Sequence, residues 1–112
     1  MDEKTKRKWI AELRNPNNRQ CRFELRAADD AFCCLGILCN LVNPGGWQSG
    51  EFKNPNLEGH ISKWRHTSNP GMPGHDVLEA SGLLAGSAGR LSSMNDSGKS
   101  FAEIADYIEK NL

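Results

Sequence analysis

The sequence lacks any long hydrophobic run. Its apolar stretches are far shorter than the roughly 18 residues that would cross a membrane, and its start, MDEKTKRKW, carries charge without the apolar stretch of a secretory signal. We therefore expect a cytoplasmic protein with no membrane partner. Its four cysteines, Cys21, Cys33, Cys34 and Cys39, are then expected to be reduced thiols.

The sequence also lacks net charge, since 14 Lys and Arg balance 14 Asp and Glu. This balance counts against a partner as strongly charged as nucleic acid. The charge is unevenly spread, because residues 1–26 hold eight cations and four anions. The basic surplus is either a surface for an anionic partner or a solvated helix face.

Catalytic motifs are absent as well. The sequence contains no G-x-S-x-G, H-E-x-x-H, Walker A or G-x-G-x-x-G pattern, and its three histidines are scattered without a pairing motif. We therefore expect neither enzymatic activity nor a cofactor.

Residues 32–41, FCCLGILCNL, contain three of the four thiols. A zinc site needs about four converging ligands, usually supplied as C-x₂₋₄-C pairs, whereas the adjacent Cys33 and Cys34 would point roughly 100° apart on a helix. The block therefore predicts no metal site but a buried helix of small apolar residues, with Gly36 allowing close packing against the C-terminal helix or another subunit. Cys33 and Cys34, in its first turn, remain candidates for contact with a ligand.

Periodicity predicts the elements of the first third. Apolar spacing predicts a helix at residues 3–14, with Asp2 as its N-cap and Asn15-Pro16 as its end. Alternation of apolar and polar residues predicts a strand at 20–26. A turn at 27–30 then leads into the cysteine-rich helix.

Turn residues dominate the middle of the chain, where we expect a long loop or hairpin insertion at 43–76 with strands at 46–53 and 59–66. A short helix at 75–81 should follow, ended by Gly82. From there a connector should run through two glycines to Asn95-Asp96.

The C-terminal segment predicts a helix. Ser100 and Glu103 form a capping box, and one helical stripe carries Phe101, Ile104, Ala105, Ile108 and Leu112. At 112 residues the chain fits one domain. The predicted fold class is α+β: an N-terminal helix, a short antiparallel sheet, a central buried helix and a C-terminal helix.

Nucleotide binding is the chemistry that the residue types suit best. Arginines can hold phosphates, tryptophans can stack on bases, and an amide or carboxylate can read a base edge. Three of these residues also have plainer interpretations, since Trp9 fits a hydrophobic core and Asn95-Asp96 fits the cap of a turn. The candidates are Arg14, Arg22, Arg26, Arg65, Trp9, Trp47, Trp64, Asn95 and Asp96.

Three stretches together resemble a widespread group of small phage-encoded proteins. They are Trp9, Leu13 and Arg14 followed by Gln20; the block FCCLGILCNL; and the ending LSSMNDSGKSFAEIADYIE. The group has a CCLG-hydrophobic-LC core and an LND…SF-x-x-IA-D-x-IE tail, and the match covers about half the chain. Met94 stands where the group has Leu, which leaves Asn95-Asp96 intact.

The resemblance implies a group that includes anti-CBASS sponge proteins, which sequester cyclic nucleotide immune signals without cleaving them. The resemblance implies a phage immune-evasion protein in the cytoplasm of the infected bacterial host. It also implies a homo-oligomer, with a tetramer as one form, and a cyclic dinucleotide as ligand. Carried over by position, the residues near the ligand or supporting the fold are Trp9, Arg14, Gln20, Cys33, Cys34, Asn95 and Asp96.

The binding hypothesis adds roles for individual side chains. Arg14, Arg22, Arg26 or Arg65 would meet the phosphates, and Trp64-Arg65 would belong to a lid-like loop. Two other functions are open: a phage protein that blocks a host protein through its 43–66 loop, and a small nucleic-acid-binding module that uses the basic N-terminal third.

Overall fold

The computed structural model describes residues 1–56 and 58–112, so Leu57 of the predicted 43–76 segment lies outside the described residues. Helix α1, Glu3–Leu13, forms where the sequence predicts it, and the Asp2 carboxylate accepts a hydrogen bond of 2.9 Å from the Thr5 N–H. The helix buries Trp9, Ile10 and Leu13. This apolar side packs against the central and C-terminal helices.

The central helix α2, Cys34–Val42, is buried over its first six residues, which confirms the buried helix predicted from FCCLGILCNL. Gly36 does allow close packing, but its neighbour is the 20–26 segment. A Cβ at Gly36 would lie 1.9 Å from the Leu25 carbonyl oxygen. Only glycine therefore lets this loop cross α2 at such short range.

The predicted strand at 20–26 is wrong. The segment forms only isolated bridges to Phe32, and Phe23 has a positive φ of 71°, which interrupts an extended chain. Its backbone bonds go to scattered partners, since Phe23 N–H donates to the Asp96 carboxylate and Leu25 N–H donates to the Pro70 carbonyl. The predicted alternation of apolar and polar side chains is present in part, because one of its apolar residues, Leu25, is fully buried.

The sheet is the hairpin predicted in the middle of the chain. Strand β1, Trp47–Lys53, pairs antiparallel with β2, Ile61–His66, with Trp47 opposite His66 and an irregularity between Ser49 and Phe52. A short 3₁₀ turn, Pro44–Gly46, leads into it. Most of the hairpin is exposed, so it projects from the helical body instead of forming part of the core.

Helix α3, His75–Ser81, ends at Gly82 in the left-handed conformation, as predicted. The connector predicted after it is wrong, because Ala85–Asp96 is helix α4. Its glycines, Gly86 and Gly89, face open space, while Ala88 and Leu91 are buried. Burial of that apolar side outweighs the low helix propensity of glycine.

Helix α5, Phe101–Asn111, carries the complete predicted capping box and buries Phe101, Ile104, Ala105 and Ile108. Helices α1, α3 and α4 pack around α2, and α1 and α4 also contact α5. The α+β class is confirmed, with five α-helices and one two-stranded antiparallel sheet in the described residues. None of the helices in that part of the chain has the length and apolar character to span a membrane.

Candidate ligand-binding site

The structure brings most of the predicted site residues together in two groups, and the first is a buried polar network around Asn95. The Asn95 side chain is fully buried at the end of α4. Its Oδ1 accepts bonds from Gln20 Nε2 at 2.8 Å and the Cys34 N–H at 3.2 Å. Its Nδ2 donates to the Cys21 carbonyl at 2.9 Å and to Asp96 Oδ1 at 3.4 Å. These bonds tie the 20–26 loop to the ends of two helices.

Gln20 and Asp96 extend this Asn95 network. Gln20 Nε2 also donates to the Lys99 carbonyl at 2.8 Å, and its Oε1 accepts a 3.2 Å bond from the Phe101 N–H at the start of α5. Asp96 Oδ1 accepts a 2.9 Å bond from the Phe23 N–H. Gln20 thus accepts from a backbone N–H that has no partner within α5. Asp96 holds Phe23, the residue of the 20–26 loop with a positive φ.

Trp9 and the two cysteines belong to the same scaffold. The fully buried Trp9 indole donates a 2.9 Å bond to the Cys34 carbonyl. Cys33 is the N-cap of α2, where its Sγ accepts from the Gly36 N–H. Burial raises the pKa of the Cys33 thiol to about 12 and that of Cys34 well above its ordinary value. Both thiols are therefore protonated near neutral pH, and neither is an activated nucleophile.

Arg14 and Arg22 lie apart from each other on the surface. Arg14 follows α1 and pairs with Asp106 at 2.7 Å and Glu109 at 3.0 Å on α5; these carboxylates raise its pKa, Asp106 most. Arg22 is exposed, with its guanidinium near Gly98. Neither lies beside a tryptophan in the described residues.

The second group forms a cluster of Arg26, Asp30, Phe32, Trp47 and Trp64, which we call the Arg26 cluster. The guanidinium carbon of Arg26 lies 3.7 Å from the centroid of the Trp64 ring, and 5.4 and 5.5 Å from those of Trp47 and Phe32. Phe32 and Trp47 pack at 5.7 Å between ring centroids. Arg26 also pairs with Asp30 at 2.7 Å.

The hairpin base positions the two tryptophans of the Arg26 cluster. The fully buried His66 lies edge-on to Trp47 at 4.9 Å, and its Nε2 donates a 2.7 Å bond to the Asn43 carbonyl. This bond joins the residue before the 3₁₀ turn to the last residue of β2. Arg65 takes no part, because it lies over Phe52 at 4.5 Å and bonds to Gln48.

Burial makes the Arg26 cluster electrostatically distinct. The Arg26 side chain is only 19% exposed, although it carries a full charge. The three aromatic rings are half-buried, so part of each faces solvent. A partly desolvated guanidinium beside partly exposed aromatic rings suits an anion that carries an aromatic group.

Sequence reasoning missed Asp30 and Phe32 as members of this cluster. Their roles depend on contacts between distant parts of the chain, which composition does not reveal. The i, i+4 spacing of Arg26 and Asp30 was the one local signal. Trp47 was recognised as an aromatic of the hairpin and as a possible stacking residue, but its pairing with Arg26 was not foreseen.

A third polar group joins the 20–26 loop to β2, but it lacks the geometry of a hydrolytic triad. Glu24 Oε1 accepts a 3.0 Å bond from the buried Ser62 hydroxyl and lies 3.2 Å from His60 Nε2. The hydroxyl therefore points at a carboxylate and not at an imidazole that could take its proton. The neighbouring cavity, of about 760 Å³, is lined by none of the predicted site residues.

Metal-ligating side chains do not converge in the described part of the chain. No group of three or more His, Cys, Asp or Glu residues there could hold a metal ion. The thiols of Cys33, Cys34 and Cys39 lie in the core.

Comparison with known proteins gives a family and no named relative. Residues 1–112 match the family described as Domain of unknown function (DUF8296). No curated protein matches the sequence, and no solved structure matches the fold.

Proposed function

We propose that this chain, which belongs to the DUF8296 family, binds an anionic nucleotide at the Arg26 cluster and holds it without cleaving it. The observation that carries the proposal is the Arg26 guanidinium, largely withdrawn from solvent and stacked at 3.7 Å on Trp64 with Trp47 and Phe32 beside it. Of the predicted site residues, Arg26 and Trp64 are the cation and the aromatic ring that lie in direct contact.

The chemistry of the cluster explains this choice of ligand. Hydrogen bonds from a guanidinium to a phosphate are charge-assisted, and partial burial strengthens them because less water competes. Half-buried indole rings offer flat faces on which a base can stack, and such stacking is worth about 1–3 kcal/mol per base. A ligand with both a phosphate and a base can use both features.

The proposed site does not need Asn95 or Asp96. A base edge could reach the Asn95 amide only by displacing bonds to Gln20, Cys21 and Cys34. Charge and stacking at the Arg26 cluster are therefore the basis of the proposed recognition. The base-reading role expected for Asn95 and Asp96 stays a prediction.

The biological role follows from the resemblance to phage sponge proteins. We propose that the ligand is a cyclic di- or oligonucleotide immune signal, sequestered in the cytoplasm of an infected bacterium by a homo-oligomer of this chain. Sequestration requires a binding surface but no nucleophile. The protonated, buried thiols and the Ser62 hydroxyl bonded to Glu24 fit a holding role better than a cleaving one.

The test is a binding panel with matched arginine variants. Purified protein is titrated calorimetrically with cyclic di- and trinucleotides, and bound ligand is recovered by chromatography. We expect Arg26→Gln to weaken binding by about tenfold or more, since a charge-assisted hydrogen bond is worth roughly 1.5–3 kcal/mol. Arg65→Gln removes the arginine of β2 that stacks on Phe52, outside the Arg26 cluster. This change should alter the affinity by less than about twofold.

Three results would contradict the proposal. If no ligand in the panel binds, the protein does not bind these nucleotides. If Arg26→Gln and Arg65→Gln lose affinity equally, the ligand does not bind at the Arg26 cluster. If hydrolysed ligand is recovered, the protein is an enzyme.

Two observations favour a second function, the binding of a host protein through the hairpin. Ile61 is 43% exposed on β2, and the strand pair has no further strand beside it in the described residues. Both features suit contact with another protein. This function predicts a host partner recovered on immobilised protein whose binding is lost in Ile61→Asp and unaffected by nucleotides.

A further inference from the structure

The anion-binding edge of Arg26 is already occupied by an anion of the chain itself. Arg26 Nε and Nη2 both donate to Asp30 Oδ1, at 3.0 and 2.7 Å. The two partners differ in exposure, because the Arg26 side chain is 19% exposed and that of Asp30 is 62% exposed. The guanidinium is thus held in the cluster, while its carboxylate partner stands in solvent.

Asp30 can leave Arg26 without disturbing the turn that carries it. The turn at 27–31 is closed by backbone bonds from Asp30 N–H to the Ala27 carbonyl at 3.0 Å and from Ala27 N–H to the Ala31 carbonyl at 2.8 Å. In the described residues the Asp30 carboxylate bonds only to Arg26. Rotation of the Asp30 side chain would therefore break the ion pair with Arg26 and no other hydrogen bond of that carboxylate.

We infer that Asp30 is an internal competitor that sets which anions the Arg26 cluster accepts; the inference rests on the proposed nucleotide binding. A carboxylate and a phosphodiester each carry one negative charge. Exchange of one for the other at Arg26 is therefore nearly balanced, and a phosphodiester group without a base gains little by displacing Asp30. A phosphate that carries a base gains in addition the stacking on Trp64 and Trp47.

Asp30 on this account determines specificity by raising the intrinsic affinity that an anion needs in order to occupy Arg26, so that a weakly binding anion such as inorganic phosphate is excluded while a nucleotide still binds. Removal of its charge should strengthen the binding of both ligands. Both should gain by a similar factor, because each must displace the same carboxylate. A residue that merely held Arg26 in position would have the opposite effect on affinity when removed.

The neighbouring residue supplies a matched control. Asp29 pairs with Arg19 at 2.9 Å, both side chains are exposed, and neither belongs to the Arg26 cluster. Asp29→Asn therefore removes the same charge from the same turn. Comparison with Asp30→Asn separates the ion pair at Arg26 from a general change in surface potential.

The experiment measures the affinity of wild type, Asp30→Asn and Asp29→Asn for the cyclic nucleotides and for inorganic phosphate, alone and in competition. We expect Asp30→Asn to bind the nucleotide about two- to fivefold more tightly, the range that an ion pair with one exposed partner contributes. At trace nucleotide, phosphate should compete at a correspondingly lower concentration in Asp30→Asn than in wild type. Asp29→Asn should stay within about twofold of wild type.

Asp30→Gly provides a second variant, since glycine accepts the positive φ of 65° at this position and also removes the charge. Unchanged or weaker nucleotide binding in both Asp30 variants, with wild type still binding, would overturn the role of Asp30 and leave the site in place. Lack of nucleotide binding by wild type and all variants would overturn the site and the competitor together.

Discussion

At the scale of single residues, Asn95 and Arg26 show two different uses of a polar side chain. Asn95 is fully buried and bonds to four groups of its own chain. Arg26 has one ionic partner, Asp30, and otherwise lies against aromatic rings. The first arrangement stabilises the fold, whereas the second leaves a charge that a ligand can compete for.

We predict that Asn95→Asp lowers the free energy of unfolding by about 3 kcal/mol. The change replaces the donor Nδ2 by an oxygen that would face the Cys21 carbonyl at 2.9 Å and the Asp96 carboxylate at 3.4 Å. Urea denaturation measures the loss. Asn17→Asp, at an exposed position, should change stability by less than about 0.5 kcal/mol.

A loss below about 1 kcal/mol in Asn95→Asp would mean that the network tolerates a carboxylate and is not a main support of the fold.

The sequence signalled that Asn95-Asp96 matters but did not reveal why. An Asn-Asp pair suits a ligand edge, a helix end or a buried network equally well. The distinction depends on Gln20, Cys21 and Cys34, which only the folded chain brings to Asn95.

At the scale of elements, the sequence predicted those whose signals are local. The capping box at Ser100, the stop at Gly82 and the hairpin strands depend on neighbouring residues, and all were found. The 20–26 segment was mistaken for a strand because its alternation does not reveal the positive φ of Phe23. Helix α4 was missed because its glycines face solvent, where they break the pattern without breaking the helix.

We predict that alanine substitutions at two helical glycines change stability in opposite directions. Gly36→Ala would place a Cβ 1.9 Å from the Leu25 carbonyl oxygen, so α2 or the loop must shift. We expect a loss of about 3 kcal/mol or more, as for severe overpacking of a core. Gly89→Ala in α4 meets nothing within 4 Å and should gain about 0.5–1 kcal/mol from higher helix propensity.

Thermal and urea unfolding of the two variants measure this difference. The comparison is controlled internally, because both substitutions add one methyl group to a helix. If Gly36→Ala were as stable as wild type, the close crossing of Leu25 over α2 would not be a constraint on the fold. If Gly89→Ala were destabilised, the exposed side of α4 would contact something beyond the described chain.

At the scale of the whole molecule, the chain combines a helical core with a projecting hairpin. Helix α2 is surrounded by α1, α3 and α4, whereas most residues of β1 are exposed and β2 buries only Ser62 and His66. Specific contacts join the two parts, among them the Arg26 stack on Trp64, the Ser62–Glu24 bond and the His66–Asn43 bond. Sequence patterns predicted both parts but not these joining contacts, because each joins residues far apart in the chain.

This division predicts two levels of amide hydrogen exchange. Amides of α2 should exchange only through global unfolding, since the helix is buried over most of its length. Hairpin amides should open locally, with exchange free energies at least about 2 kcal/mol lower, because few buried contacts hold the strands to the body. A ligand at the Arg26 cluster bridges the body and the hairpin, so it should slow exchange in the hairpin and at residues 26–32. Equal exchange free energies in hairpin and α2 would show one cooperative unit, and ligand-induced protection confined to other parts of the chain would place the ligand elsewhere.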